Sequence, residues 1–481
     1  MEIVKNKEYI VDIIDNGFEG EGIAKIDGFT IFIPNAIKGE KARILIVKVN
    51  KNFAYGKILE VLEASDSRVE EDCDTYVRCG GCNLRHIKYE DTLKMKKAVV
   101  ENCLYKELKR DVEVNEVLGM DEPKFYRNKL IYPVGTDKNG ETIMGVFANR
   151  SHNIIEVKEC LIQDKLNQEI ANTVLEVIKR NNIKPYNEEL RGGKDIALNK
   201  RHGDFQSSAP YCESSFDCGN IRHIIVRNGK VSNEVMVVLV CNEKAANKVF
   251  EDDLVKELTS KFPQIKSIVK NINDKNTNVI MGEKNVVLYG DGYITDVLDG
   301  YTFKISPHSF YQVNPVQTVK LYNTAVEKVD LKKADVVWDL YCGIGTISIF
   351  LAKYVNKVIG IEIVEAAIED AKENAKLNDI DNIDFYAGDV EKVLPKILED
   401  KANFPDVIFV DPPRKGLDNN TINLIKSVKP RKVVYISCNP ATLARDIALL
   451  EEEYELKNVQ PVDMFCFTSH VENVAVLEVK C

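Results

Sequence analysis

One stretch constrains this chain more than any other: Val336 to Thr346, which reads VVWDLYCGIGT. An apolar run, Val336 to Leu340, ends in a turn carrying Gly343 and Gly345, and a helix-competent apolar stretch, Ile347 to Tyr354, follows. Strand, glycine-rich turn, helix is the opening of a nucleotide-binding α/β unit. The glycines let backbone approach a ligand where a Cβ would clash. Ile347 and Ser348 stand near where the third glycine of a dinucleotide fingerprint would fall. Glu362 sits at the end of the next apolar run, Lys357 to Ile363, where a carboxylate suits the hydroxyls of a ribose. Gly-x-Gly alone is shared by dinucleotide enzymes and plain turns, so the surroundings must decide.

After residue 335 the pattern is regular. Strands are predicted near 336–340, 357–362, 383–387, 406–410, 432–436, 454–460 and 472–479, with helices between the first six. Such alternation builds a parallel sheet with helices on both faces. Ligands bind at the carboxyl ends of its strands. Tyr341, Glu362, Asp389, Asp411 and Cys438 each follow a strand end, so one rim collects all five.

At 481 residues the chain exceeds one ordinary core. The start, MEIVKNKEYIVDIID, is too acidic for a signal peptide, and the longest clean apolar run, Val235 to Cys241, falls far short of the ~20 residues that span a bilayer. A cytoplasmic protein is expected, in which the 12 cysteines do not form a disulfide framework. The net charge of −10 argues against loose, sequence-blind binding to nucleic acid. One basic run stands out: Lys38, Lys41, Arg43, Lys48, Lys51 and Lys57, interrupted only by Glu40. It reads equally as a solvated face or as a track for RNA.

Residues 1 to about 65 alternate short apolar runs with turn residues. Five strands are predicted, at Tyr9–Ile14, Gly22–Ile26, Thr30–Pro34, Lys41–Val49 and Ala54–Leu62, and a small barrel is their natural closure. Cys73, Cys79 and Cys82 follow within ten residues, a density that suggests a metal. No second Cys-x-x-Cys pair supplies zinc's remaining ligands. Between about 110 and 295 the signal is mixed α+β. Arg127 and Lys129 beside Phe125 and Tyr126 suit phosphate and a stacked base, or simply an exposed cationic strand face. Asn314-Pro315 reads as a helix start, and Asn271 to Thr277 as a polar turn.

Three segments together carry a family resemblance. Val336–Thr346 resembles motif I of class I S-adenosylmethionine methyltransferases. Asp411-Pro412-Pro413-Arg414-Lys415-Gly416 and Ser437-Cys438-Asn439-Pro440, each after a strand, resemble the RNA uracil-5 methyltransferases. The start, NGFEGEGIAKIDGFTIFIPNAIKGE, resembles the TRAM domain, an OB-like module of RNA-modifying enzymes, and Tyr126–Lys129 and His470-Val471-Glu472 are family-like too. The resemblance implies a multidomain protein. Residues 1–65 would form a TRAM-like RNA-binding barrel. Residues 66–295 would form a central α+β domain with an iron–sulfur cluster, and 296–481 a Rossmann-like class I methyltransferase domain.

The resemblance also implies roles. Cys438 is the nucleophile and Glu472 the base, with His470 in support on the same strand. Gln312 meets the methionine part of S-adenosylmethionine, Tyr341 its base or methionine end, Glu362 the ribose, Asp389 the adenine amine, and Asp411 both cofactor and uracil. Thr346 departs from the family's asparagine, so no contact is carried over to it. Cys73, Cys79 and Cys82 with a distant fourth, Cys160, hold a [4Fe–4S] cluster of structural or RNA-positioning role; Cys103 rivals Cys160 but falls in the helical run Asp91–Leu108. Cys342 reads as structural. A helix beginning near Ala441 would favour the Cys438 thiolate with its positive end.

The expected activity is methylation of uracil C5 in ribosomal RNA by a monomeric enzyme. The TRAM-like start and the cysteine cluster favour that substrate over transfer RNA. The target base would leave its stack, which is least costly in a single-stranded loop. An RNA cytosine-5 methyltransferase would instead show Pro-Cys where Asp411-Pro412-Pro413 stands. A non-catalytic RNA-binding or iron–sulfur protein would have no use for Cys438, Asp411 and Glu472 together.

Overall fold

The computed structural model describes residues 3–149, 151–186, 220–243, 248–275 and 277–480; position 276 of the expected polar turn lies outside them. The chain divides into two compact units. One comprises 1–77, 81–123 and 314–481; the other comprises 78–80 and 124–313.

The first unit opens with β1 (Glu8–Asp12), β2 (Asp15–Asn16), β3 (Gly22–Ile26), β4 (Phe29–Ile33), β5 (Lys41–Val49) and β6 (Phe53–Glu63), in one sheet of order β1-β5-β6-β4-β3-β2. The strands alternate strictly: Ile31, Ile33, Ala42, Ile44, Ile46 and Ala54 point inward to one core, and their neighbours point outward. The first predicted strand, Tyr9–Ile14, ends early as β1 at Asp12, and β2 lies beyond it. The Ile13 amide donates to the Glu40 carbonyl there and turns the chain.

A 20-residue helix follows, α1 (Tyr89–Leu108). Its Val100, Leu104 and Leu108, at i, i+4 and i+8, join the hydrophobic core of the C-terminal sheet rather than a core of their own.

The second unit holds β7 (Lys129–Thr136), β8 (Thr142–Phe147), β9 (Ile154–Glu156), α2 (Lys165–Arg180), β10 (Ile221–Asn228), β11 (Val235–Cys241), α3 (Lys248–Lys261), β12 (Ile265–Ile272) and β13 (Lys284–Gly290). Its seven strands run in the order β13-β12-β11-β10-β7-β8-β9, and α2 and α3 share their core. β11, VMVVLVC, is buried throughout, as its unbroken apolar run requires. A hairpin, β14 (Ile294–Leu298) and β15 (Tyr301–Ile305), closes the unit.

The remainder of the first unit is an α/β sheet. It contains α4 (Pro315–Val329), β16 (Val336–Leu340), α5 (Thr346–Ala352), β17 (Lys357–Glu362), α6 (Glu365–Leu377) and β18 (Ile383–Ala387). It continues with α7 (Val390–Ile397), β19 (Val407–Val410), α8 (Asn419–Val428), β20 (Lys432–Ser437), α9 (Pro440–Leu450), β21 (Tyr454–Val462) and β22 (Glu472–Val479). Asn314 caps α4, accepting from the Gln317 amide, with Pro315 in the first turn as expected.

The strand order is β18-β17-β16-β19-β20-β22-β21. β16 to β20 are parallel, but β22 lies antiparallel between β20 and β21. The all-parallel expectation fails at β22 alone, since β21 runs in the direction of β20. No crossover helix joins β21 to β22, and a direct return can only pair antiparallel. The order reverses between β16 and β19, which opens a crevice at their carboxyl ends. No helix among the described residues is long and apolar enough to cross a membrane.

Candidate active site

The crevice is built from strand ends. β16 is buried along its length and leaves the sheet through Tyr341, Gly343 and Gly345, at φ of 69°, 54° and 80°. A Cβ on Gly345 would lie 2.9 Å from the Phe385 ring, so both its φ and its neighbour demand glycine. At Gly343 nothing lies within 4 Å of where a Cβ would project, which leaves that face of the turn open.

Glu362, at the end of β17, locks the turn. Its carboxylate accepts from the Gly343 amide at 3.3 Å and the Val364 amide at 3.0 Å. Its carbonyl accepts from the Gly388 amide, so the loop after β18 is tied to it. Tyr341 is half-buried with its hydroxyl 3.1 Å from Thr421 Oγ1. Asp389 is exposed and caps α7 by accepting from the Glu391 amide at 3.1 Å. Asp339 lies buried beneath the turn, accepting from Ser348, and burial pushes it up to about 7. Cys342 is buried, with its Sγ 3.1 Å from the position of a Cβ on Gly360; it is a packing residue, as expected. Gln312 belongs to the other compact unit, where its carbonyl accepts from Asn128 Nδ2 at 3.1 Å.

The reactive groups gather where β19, β20 and β22 end. In the antiparallel pair β20/β22, Ser437 faces Asn473, so the next residues outward, Cys438 and Glu472, are cross-strand neighbours. Glu472 is buried; burial, then Asp411, pushes its carboxyl up to about 8, while Arg414 works the other way. Asp411, at the end of β19, is pushed up to about 7 by burial. Burial, Glu472 and Asp411 push the half-buried Cys438 thiol up to about 11, and Arg414 opposes them.

The start of α9 is expected from the sequence to favour the thiolate; its cap, Asn439, accepts from the Ala441 amide, and burial first, then Glu472, push the thiol the other way. His470 also differs: it precedes β22, with its ring 6.2 Å from that of Phe465.

Sequence reasoning missed the residues that hold this rim. Asp446 on α9 is fully buried and accepts from the Tyr435 hydroxyl at 2.7 Å, the Leu417 amide at 2.8 Å and Arg445 Nε at 2.8 Å. Arg445 donates to the Lys415 carbonyl at 3.0 Å, and Asn439 and Thr442 donate to the Arg414 carbonyl. The loop Asp411–Gly416 is thus stitched to one face of α9. Gly416 sits at φ 77° with Asp446 2.5 Å from a would-be Cβ. The signal was the spacing Asn439, Thr442, Arg445, Asp446 on one helix face. The β21–β22 connection is held likewise by a buried ion pair, Lys96 of α1 with Asp463, joined by the Tyr89 hydroxyl at 2.7 Å.

The four cysteines expected to hold an iron–sulfur cluster are divided between the two compact units. Among the described residues no three Cys, His, Asp or Glu side chains converge as ligands for a metal. Cys73 and Cys82 belong to one unit and Cys79 and Cys160 to the other. In the first, Cys73 Sγ lies 3.5 Å from Thr75 Oγ1, and Arg85, paired with Asp72, acts electrostatically on Cys73 and Cys82. Cys160 packs on the core of the second unit, its carbonyl accepting from Gln168.

Comparison with known proteins places the architecture. Residues 231–480 match the tRNA (Uracil-5-)-methyltransferase family model, and residues 5–59 match the TRAM domain. The fold and rim therefore define a Rossmann-like methyltransferase domain behind an N-terminal TRAM domain. An uncharacterized RNA methyltransferase of Oceanobacillus iheyensis is 46% identical over 479 residues, 99% of this chain and 97% of that protein. One of Clostridium tetani is 43% identical over 476 residues, with the same coverage. The crystal structure of Pyrococcus abyssi tRNA (uracil-54, C5)-methyltransferase in complex with S-adenosyl-L-homocysteine is similar with a TM-score of 0.72, at 26% identity, covering 98% of this chain and 100% of that one. The chain belongs to the S-adenosylmethionine-dependent RNA uracil-5 methyltransferase family.

Proposed function

We propose that the chain methylates C5 of a uracil in ribosomal RNA with Cys438 as nucleophile and Glu472 as base. The observation that carries this is the β20/β22 register, which sets the thiol beside a buried carboxyl with Asp411 and Arg414 acting on both.

Carbon 5 of uracil is a poor nucleophile. Cys438, once its proton has left to solvent, adds to carbon 6, and the electron pair of the 5,6 double bond moves onto carbon 5 and the O4 carbonyl. S-adenosylmethionine supplies an electrophilic methyl, to which carbon 5 would bond as the sulfur–methyl bond breaks and S-adenosylhomocysteine leaves. Glu472 then takes the carbon-5 proton, the double bond re-forms, and the Cys438 thiolate leaves. Burial keeps the Glu472 carboxyl near neutrality, which suits a group that must accept a proton in one turnover and release it before the next. Arg414 opposes the rise of both groups and would steady the thiolate and a uracil carbonyl. Tyr341, Glu362, Asp389, Asp411 and Gln312 are proposed to hold the cofactor. The open face at Gly343 and the fixed Glu362 carboxylate beside it fit an adenosine ribose.

The ribosomal substrate, the division at residues 65 and 295, and a monomeric state are part of the proposal. The cluster on Cys73, Cys79, Cys82 and Cys160 rests on the family resemblance alone, and methyl transfer as written does not need it. A second reading, transfer RNA as substrate, is favoured by the Pyrococcus abyssi relative.

The test uses 5-fluorouracil-substituted ribosomal and transfer RNA with S-adenosylmethionine. Fluorine cannot leave as a proton, so a denaturation-resistant adduct should accumulate with ribosomal RNA and vanish in Cys438→Ala. An adduct with transfer RNA alone would overturn the substrate and keep the chemistry. No adduct from protein that binds cofactor would overturn the mechanism.

A further inference from the structure

α4 packs against α5, which opens at the glycine turn, and against β20 and β22, which carry Cys438 and Glu472 at their ends. Its N-terminal end is tied to the β21–β22 connection: Asn314 Nδ2 donates to the Met464 carbonyl at 3.0 Å and Gln317 Nε2 to the Asp463 carbonyl at 3.2 Å. Midway along the helix stands Tyr322, buried at 3% exposure. Its ring centroid lies 5.2 Å from that of Phe350 at 74°, an edge-to-face contact that a phenylalanine would make as well. Its hydroxyl lies 3.2 Å from Oγ1 of Thr346, the first residue of α5 after Gly345.

Two hydroxyls bring two protons, and the bond between them uses one. Among the described residues neither hydroxyl makes another hydrogen bond. One donor is therefore left over in a buried place. Burial, then Asp411, Asp339 and Glu472, hold the phenol proton in place, so three carboxyls of the rim lie within electrostatic reach of it. These three are not equally served. Asp339 accepts from the Ser348 hydroxyl at 2.5 Å and from its amide. Glu472 has Arg414 working against its rise. Asp411 has burial acting on it and nothing opposing, and among the described residues its carboxyl accepts no hydrogen bond. Its amide donates to the Leu340 carbonyl at 3.4 Å, which seats it at the end of β16, beside the turn that ends in Thr346.

The other charges on the elements around α4 are engaged elsewhere. Lys320 of α4 donates to the Gly119 carbonyl, and Lys432 of β20 to the Val329 carbonyl at the far end of α4. Lys457 and Glu455 of β21 pair with each other, Glu478 stands at the opposite end of β22 from Glu472, and α5 carries no charge. Thr346 could be there only to satisfy a buried phenol. That need accounts for one proton of the pair and leaves the other without use beside a carboxyl that has no donor.

We propose that Tyr322 is a positioning residue for methyl transfer: Thr346 donates to its oxygen, and its own proton goes to the Asp411 carboxylate. A phenol is a stronger acid than an alcohol, so it is the better donor of the pair to a charge. The bond aims Asp411 at the place where cofactor and uracil meet, and its use in the reaction rests on that reading of Asp411.

The test is thermal unfolding of the full chain near pH 5 and at pH 8, with Tyr322→Phe made in the parent and in Asp411→Asn. Removing a donor from a carboxylate disfavours its ionised form, raises its proton affinity in the fold and costs stability only where the carboxyl ionises. Tyr322→Phe should therefore lower the melting temperature by about 3 °C more at pH 8 than near pH 5, the excess of a charge-assisted over a neutral hydrogen bond. In Asp411→Asn the same substitution should cost equally at both pH values. An equal cost at both pH values in the parent, which is what a purely structural tyrosine gives, overturns the proposal. So does a pH-dependent cost that survives Asp411→Asn. Turnover is scored separately, on whichever RNA forms the 5-fluorouracil adduct. Tyr322→Phe should lower kcat about tenfold through the misplaced carboxylate, and an unchanged kcat overturns the positioning role. An adduct alongside a pH-independent cost removes the role of Tyr322 and keeps methyl transfer. No adduct alongside a cost that depends on both pH and Asp411 removes the catalytic reading and keeps the hydrogen bond.

Discussion

Glu472 and Asp411 hold their protons far more tightly in the fold than in an open chain: about 8 against 4.5, and about 7 against 3.8. The folded state therefore binds more protons than the unfolded state between those values. The stability these two groups contribute is lost as pH rises through the window from about 4 to 8. Glu472→Gln should remove its share. It is expected to unfold at the same temperature as the parent near pH 5, and to be more stable by a few kcal/mol at pH 8. Equal pH dependence of parent and variant in thermal unfolding would sink this assignment of burial. The same variant has a chemical signature. Without a carboxylate to take the carbon-5 proton, the Cys438 bond cannot break, so a radiolabelled methyl should stay attached to protein with ordinary, unfluorinated RNA. Loss of label on denaturing gels would move the base elsewhere.

At the scale of elements, α9 acts as the brace of the active rim. Asp446→Ala would strip partners from the Leu417 amide and the Tyr435 hydroxyl and leave Arg445 beside a hole. A loss of about 3 kcal/mol or more in denaturant unfolding is expected, with Asp446→Asn milder. The Lys96–Asp463 pair makes a sharper comparison. Lys96→Ala should cost about 3–5 kcal/mol by stranding a buried carboxylate, while Lys96→Met with Asp463→Leu should recover most of it. These braces also mark what a linear reading can and cannot see. Asp411, Cys438 and the turn at Gly343 were legible because each ends an apolar run. Asp446 and Lys96 were not, because a charge buried by partners 29 and 367 residues away looks in sequence like any helical surface residue. The direction of β22 was missed because alternation reports that strands exist, not which way a helix-free return must run.

Across the whole molecule, the net charge of −10 and the RNA substrate are reconciled by geography. The acidic excess keeps polyanions off most of the surface. Half of the basic run in the TRAM domain is spent on internal pairs. Salt dependence should then be shallow for an RNA-binding protein. Three phosphate contacts on single-stranded RNA give a slope of about −2 in log affinity against log salt. Lys48→Glu/Lys57→Glu should flatten it, and an unchanged slope would place the phosphate contacts on another face.

β22 reaches β20 only as one arm of the β21–β22 hairpin, whose own pairing is local while its docking spans the length of α9. Local contacts close sooner than distant ones. The thiol and its carboxyl partner are therefore strangers until a late event in folding brings them together, and they part again whenever that hairpin lifts. The β20/β22 pairing that sets Cys438 beside Glu472 therefore depends on how well this one sheet edge is docked.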